Sequence, residues 1–306
     1  MTMSNIRNIT VVGAGLMGHG IAQIFLAAGY QVSLLDPNED ALAQAPSKIA
    51  DIFQLFGLPS DALERLSTFT DFQQAVVNAD LVIEAGPEKL AVKRSIFSDL
   101  AKYTTNDCIL ATNTSAIPIS DIAQGLSHPE RIVGTHFWNP PHLVRLVEVV
   151  QGEQTSLAVI ASCSRLLTSL RMKSVHVKRD IPGFIGNRLQ HAMKREAIAL
   201  VSAGVCDAET IDDVVKHGFG QRLAVLGPLE QSDLVGLDLT LDIYQTLFPT
   251  LDNTSEPPAL LVDNVANGRL GMKTGQGFRH WTPQSAERVR QNLLNFLVEK
   301  AKQQLS

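Results

Sequence analysis

Cysteine is scarce in this chain: Cys108, Cys163 and Cys206 are the only three in 306 residues. Their odd number and wide separation exclude a disulfide framework and a metal site of thiolate spacing, and they read as small apolar residues in a reducing compartment. Charge of one sign is also lacking. Lys and Arg total 26 against 31 Asp and Glu, a formal net charge of −5 spread along the sequence. No basic run or basic aromatic stripe points to nucleic acid. No apolar run approaches the length needed to span a bilayer, so no membrane partner is expected. The first strand-like run begins near residue 8, too early to leave space for a signal or transit peptide, and the expected location is cytoplasmic. The phosphate loop G-x-x-x-x-G-K-[ST] is missing, which argues against a nucleoside triphosphatase.

What is present begins at that first run. Ile9–Val12 is apolar and leads into Gly13, Gly15 and Gly18 at the spacing Gly-x-Gly-x-x-Gly, with Leu16 and Met17 between the last two. A helical pattern follows, then a second apolar run ending on Asp36. Gly13 suits a tight strand-to-helix turn. Gly15 lets a pyrophosphate approach the backbone, and Gly18 lets the helix pack close to the sheet. The helix start offers free N–H groups and a positive dipole end to phosphates. Asp36 is placed to accept from both hydroxyls of an adenosine ribose and to repel a 2′-phosphate. The pattern therefore predicts a dinucleotide site that favours NAD over NADP. A glycine-rich turn without a ligand is the plainer reading of the three glycines taken alone.

Strand-like runs recur at 32–35, 81–84, 109–112, 132–136, 146–150 and 175–177, with helical patterns between most of them. Such alternation predicts an α/β fold with a doubly wound sheet of Rossmann type. The stretch from Asn38 to Leu66 is long for one crossover helix and reads as two helices broken near Gly57 and Pro59. From Asp180 onward no strands are expected. Helical periodicity covers 184–203, 208–216, 229–247, 258–266 and 285–302. The expected organisation is residues 1–180 as a dinucleotide-binding domain and 181–306 as an all-helical domain.

His136 stands at the carboxyl end of the run 132–136, the edge at which open α/β sheets bind ligands. Glu148 lies inside the apolar run 146–150, where a carboxylate needs a partner. An adjacent imidazole would satisfy it and become more basic, a pairing suited to acid–base work near neutral pH. The alternative is a structural histidine and a solvent-facing glutamate. Asn113 and Ser115 follow the run 109–112; they suit either a substrate or nicotinamide contact or a hydrogen-bonded turn.

These motifs together resemble the L-3-hydroxyacyl-CoA dehydrogenase family across nearly the whole chain. The matching segments are Gly13 to Gly18, Leu81 to Ala85, Ala111 to Ser115, His136 to Pro140 with Leu146 to Glu148, Pro182 to Arg188, Leu234 to Asp238, and Leu270 to Phe278. The resemblance implies an NAD-binding Rossmann domain followed by a helical domain that forms a homodimer. It implies oxidation of a secondary alcohol by hydride transfer to NAD, with His136 as base, Glu148 orienting it, Ser115 and Asn139 holding the reacting oxygen, and Asn187 joining them from the helical part. Glu84 and Lys93 match positions close to the cofactor, as do Gly13, Gly15, Leu16, Met17, Gly18, Asp36 and Asn113. No metal is needed, because a positioned base and an oxidised nicotinamide suffice.

The chain departs from the family where the acyl-CoA enzymes carry a lysine-rich hairpin after the second strand. Here Lys48 and Arg65 face Glu39, Asp40, Asp51, Asp61 and Glu64, so the phosphates of CoA find little counter-charge. Trp138 stands where phenylalanine is common, followed by Pro140, Pro141 and His142. Three readings follow: a 3-hydroxyacyl-CoA dehydrogenase; the same chemistry on a CoA-free hydroxy acid or small polar alcohol, with Arg145 as a candidate cation for its carboxylate; and a non-catalytic NAD-binding structural protein.

Overall fold

The computed structural model describes residues 6–305. The chain forms two compact units. One runs to Asn187 and includes the stretch from Leu294 onward; the other is Arg188–Leu293.

The first unit is built on one eight-stranded sheet, ordered β3-β2-β1-β4-β5-β6-β7-β8. The strands are β1 Asn8–Val12, β2 Gln31–Leu35, β3 Leu66–Phe69, β4 Leu81–Glu84, β5 Ile109–Thr112, β6 Ile132–Phe137, β7 Leu146–Val150 and β8 Lys173–Val177. All neighbours pair in parallel except β6 and β7, which are antiparallel. The order reverses between β1 and β4, the switch point at which such sheets open a crevice. The expected α/β class with a Rossmann-type sheet and a helical second part is what the structure has.

The helices are α1 Leu16–Ala27, α2 Glu39–Leu55, α3 Phe72–Val76, α4 Leu90–Tyr103, α5 Ile119–Ala123, α6 Leu157–Ser169, α7 Gly186–Ser202, α8 Ala208–His217, α9 Pro228–Val235, α10 Leu237–Leu247, α11 Ala259–Ala266 and α12 Pro283–Leu305. On one face of the sheet Val11, Val133, Phe137, Val147 and Val149 pack with Phe25 of α1, Phe53 of α2 and Leu166 of α6. On the other, Val82, Leu110, Ile132 and Val150 pack with Phe97 of α4, Ile119 of α5 and Phe184. Strand side chains alternate between faces. His136 and Glu148 therefore share the second face with Ile132 and Val150, and Arg145 shares the first with Val147.

Three expectations are corrected. The stretch after α2 is not a second helix but a short 3₁₀ turn, Ser60–Arg65, running straight into β3. That strand is an unforeseen edge strand of four residues, with Ser67 and Thr68 exposed, so its apolar signal is weak. The single helix expected over 229–247 is two, because Gly236 adopts φ +99° and breaks it between α9 and α10.

Candidate active site

The glycine turn is shaped by its own backbone. Gly13 has φ +109°, and a Cβ there would lie 2.7 Å from the Ala85 carbonyl oxygen. A Cβ on Gly18 would lie 1.7 Å from the Gly13 carbonyl oxygen, whereas the sheet side chain Val11 is 3.6 Å away. Gly18 is thus required by the turn itself more than by helix–sheet packing. Gly15 has nothing within 4 Å of a Cβ position, and as N-cap of α1 it supplies no side-chain cap. The first amides of α1 are thus left without a side-chain cap, as an anion-binding helix start requires. Leu16 is exposed and Met17 half-buried beside them. At the end of β2, Asp36 Oδ2 accepts from Ala14 N–H at 2.7 Å and Oδ1 from Asn38 N–H at 2.9 Å. The carboxylate is fixed at the mouth of the turn, and these residues fit a dinucleotide with its ribose hydroxyls at Asp36.

His136 lies across from Glu148 in the β6–β7 register. Its Nδ1 is 2.7 Å from Glu148 Oε2, and both side chains are buried. The other carboxylate oxygen, Oε1, accepts from the backbone N–H groups of Ile185 at 3.0 Å and Gly186 at 3.1 Å, where α7 begins. Burial would raise the Glu148 carboxyl. The His136 contact and the two amides outweigh it and hold the group below its ordinary range, so it is a carboxylate at neutral pH. The imidazole is flanked by Trp138, ring centroids 5.6 Å apart, and by Phe184 at 5.8 Å. A Cβ on Gly186 would meet the Trp138 ring at 2.2 Å, so the glycine makes space for the larger aromatic.

Ser115 and Asn187 are brought together: Asn187 Nδ2 donates to the Ser115 carbonyl at 2.9 Å. Asn139 is exposed two residues beyond the end of β6. Asn113 Oδ1 accepts from Phe137 N–H at 2.8 Å, tying the ends of β5 and β6 together. Glu84 and Lys93 are buried, not open to a ligand. Lys93 Nζ sits 2.9 Å from each Glu84 oxygen, and Thr112 Oγ1 donates to Oε2 at 2.6 Å. The acid that reaches the edge is Glu88, which sequence reasoning missed. Its Oε1 accepts from Thr114 Oγ1 at 2.6 Å and from the amides of Ser115 and Ala116 at 2.9 and 3.0 Å, and Oε2 is 3.4 Å from Lys93. Burial opposes its charge, but Thr114, Lys93 and the two amides prevail and lower its pKa. The available signal was an acid just before α4, four residues past the end of β4.

Arg145 is not beside His136. Strand alternation puts it on the opposite face, where Nη1 donates to the Arg171 carbonyl at 3.0 Å. Arg65, one of two cations in the stretch after β2, donates to the Leu26 carbonyl at 3.1 Å at the end of α1. The thiols of Cys108 and Cys163 are pushed up to about 12 by burial, consistent with inert packing residues. No group of residues that could hold a metal ion occurs among the described residues. No described helix is long and apolar enough to cross a membrane.

Residues 8–181 match the family model for the 3-hydroxyacyl-CoA dehydrogenase NAD-binding domain, and residues 183–281 match that for its C-terminal domain. The chain is 35% identical over 295 residues to 5-formyl-3-hydroxy-2-methylpyridine 4-carboxylate 5-dehydrogenase of Mesorhizobium japonicum, covering 93% of this chain and 96% of the relative. It is 37% identical over 290 residues to the mitochondrial hydroxyacyl-coenzyme A dehydrogenase of Rattus norvegicus, covering 89% and 90%. Among solved structures, a 5-formyl-3-hydroxy-2-methylpyridine 4-carboxylic acid 5-dehydrogenase, described as an NAD+-dependent dismutase, superposes with a TM-score of 0.91 at 33% identity, covering 98% of this chain and 99% of that one.

Proposed function

This chain belongs to the 3-hydroxyacyl-CoA dehydrogenase family of NAD-dependent oxidoreductases acting on CH–OH groups, and from that premise we propose that it oxidises a small CoA-free hydroxy acid through a His136–Glu148 pair. The observation that carries the CoA-free reading is the stretch after β2. Lys48 is its only lysine, and Arg65 is committed to the Leu26 carbonyl. A phosphate handle needs several charge-assisted donors, and that surface offers one. The Mesorhizobium relative, whose name specifies a pyridine carboxylate, agrees with this reading. A second reading, a 3-hydroxyacyl-CoA substrate, draws support from the rat relative at 37% identity.

Gly13, Gly15, Leu16, Met17 and Gly18 would hold NAD, with its ribose at Asp36, and the cofactor would supply the hydride acceptor. Glu148 holds Nδ1–H of His136, which leaves Nε2 with the lone pair that removes the hydroxyl proton. As that proton arrives the imidazole becomes cationic, and Glu148 stabilises it. Ser115 and Asn139 hold the reacting oxygen. Asn187 and Glu88 fix the Ser115 backbone through their bonds to its carbonyl and amide.

An assay following NADH absorbance tests the substrate. Free hydroxy acids, including 3-hydroxybutyrate, carnitine, gulonate and hydroxylated aromatic acids, are set beside 3-hydroxybutyryl-CoA. At least one free acid is expected to be oxidised as efficiently as the thioester, with free CoA a poor competitive inhibitor. Far faster turnover of the thioester, or CoA inhibition at low micromolar concentration, overturns the CoA-free reading in favour of the acyl-CoA one. The same assay measures cofactor choice. kcat/KM is expected to favour NAD over NADP because a 2′-phosphate would meet the Asp36 carboxylate; equal values remove that role from Asp36.

The protein is expected to be a homodimer through its helical unit. No residue of α7, α8, α9 or α10 is buried. Leu229, Leu234 and Leu237 are 79%, 72% and 63% exposed, an apolar surface of the kind that partners cover. Phe184, at the start of the expected helix 184–203, adds nothing to that surface, being buried in the first unit. Light scattering at micromolar concentration should give twice the mass of the chain, and a monomer mass refutes the dimer.

A further inference from the structure

The face of the sheet opposite His136 carries a cavity of about 410 Å³. It opens between α1, the end of α2, the loop through Pro141 and Arg145, and the end of α6. Its apolar wall includes Ile24, Phe56, Leu58 and Met172, and its polar lining is one-sided. Arg145 and Arg171 bring guanidinium groups, His142 an imidazole and Gln23 a carboxamide, and no carboxylate lines it among the described residues.

Two polar atoms there are buried without partners. Gln23 is 3% exposed and is one of the residues that line the cavity. The Arg145 side chain makes one hydrogen bond, to the Arg171 carbonyl, and its Nε is buried without a partner. His142 Nδ1 is likewise buried and unpartnered, its ring edge-on to Phe56 with centroids 6.4 Å apart. Burial and then the nearby charge of Arg171 lower the pKa of Arg145. Burial and then His19 bring His142 to about 4, so it is neutral at pH 7 and can donate or accept. Buried polar atoms left in this state are costly unless something pairs them.

We propose that this cavity is a binding site for a small organic carboxylate with an apolar body, its carboxylate held by Arg145 and the Gln23 carboxamide and its body lying against Phe56 and Leu58. A guanidinium matches a planar carboxylate, a carboxamide N–H adds a second donor, and the volume is in the range of small-molecule sites. The site stands apart from the reaction: His136 and Glu148 project from the other face, so it holds whichever substrate the enzyme oxidises.

Isothermal titration of the full-length, NADH-saturated protein tests it, with benzoate as the probe and benzamide as its uncharged counterpart. Benzoate should bind saturably and benzamide should not. Arg145→Gln and Gln23→Leu should each weaken benzoate by about tenfold or more, the weight of one charge-assisted hydrogen bond. Ser115→Ala should leave benzoate binding unchanged. NADH fluorescence and melting temperature report that each variant is folded. If the loss of the Arg171 cap unfolds Arg145→Gln, Gln23→Leu decides alone. The site is refuted if benzoate shows no saturable binding in the millimolar range, or if benzamide binds equally. It is refuted too if binding survives the cavity variants and is lost in Ser115→Ala, which assigns the carboxylate to the reaction centre. Substrate turnover is not read here, so failure of the site leaves the CoA-free reading to its own assay.

Discussion

His136→Gln is expected to lower kcat by about 10² to 10⁴ while NADH affinity stays nearly unchanged. The imidazole is placed to act on substrate, and the cofactor cradle is built from other residues around Gly13 to Gly18 and Asp36. Glutamine keeps much of the volume between Trp138 and Phe184 but has no basic nitrogen. Glu148→Gln should also be severely impaired. An amide cannot stabilise the imidazolium as a carboxylate does, and it weakens the acceptor that faces both His136 and the start of α7. Glu148 is held below its ordinary pKa in the fold, so its contribution to stability is full above the unfolded carboxyl pKa. That contribution is lost as pH falls through the lower folded value. Steady-state rates beside NADH fluorescence titrations decide the matter. Should the His136 variant keep more than about a tenth of wild-type kcat, the base is another group. His142 is a poor substitute, since its ring lines the cavity on the opposite face.

The parts of the site that local chemistry dictates were legible in the sequence. Gly13 and Gly18 announce the turn because no other residue fits it, and Asp36 follows at the end of the next strand. The pairing of His136 with Glu148 was legible because a carboxylate inside an apolar strand needs a partner. What the sequence could not show is that Glu148 also closes the start of α7, since the bond from Gly186 crosses 38 positions and involves backbone N–H. Arg145 lies away from the place expected of it for a related reason. Its closeness to Glu148 in sequence says nothing about face, which the strand parity reverses. The resemblance points to Glu84 near the cofactor; in the fold Glu84 is bonded to Lys93, and Glu88 holds the Thr114–Ala116 loop. The composition of both residues is identical; only depth separates them.

That buried pair gives the other large expected effect. Lys93→Met should destabilise the first unit by about 3–5 kcal/mol, because it leaves the Glu84 charge in the interior without its cation. Glu84 and Lys93 side chains are 0% and 1% exposed, so water cannot replace the lost partner. The hydrogen bonds from Thr112 and Gly86 remain but do not neutralise the charge. Glu88 loses its contact with Lys93 as well, so the Ser115 loop should loosen and the KM for NAD should rise. Chemical denaturation in a Trp281→Phe background isolates the signal of Trp138, which belongs to the first unit. The double variant Glu84→Gln with Lys93→Met has no buried charge and should recover most of the loss, since replacing both members of such a pair is far less costly than removing one. A single variant within about 1 kcal/mol of wild type would mean that Glu84 takes up a proton or finds water once Lys93 is gone. A double variant no better than the single would mean that packing around the lysine stem, not its charge, is what holds α4 to the sheet edge.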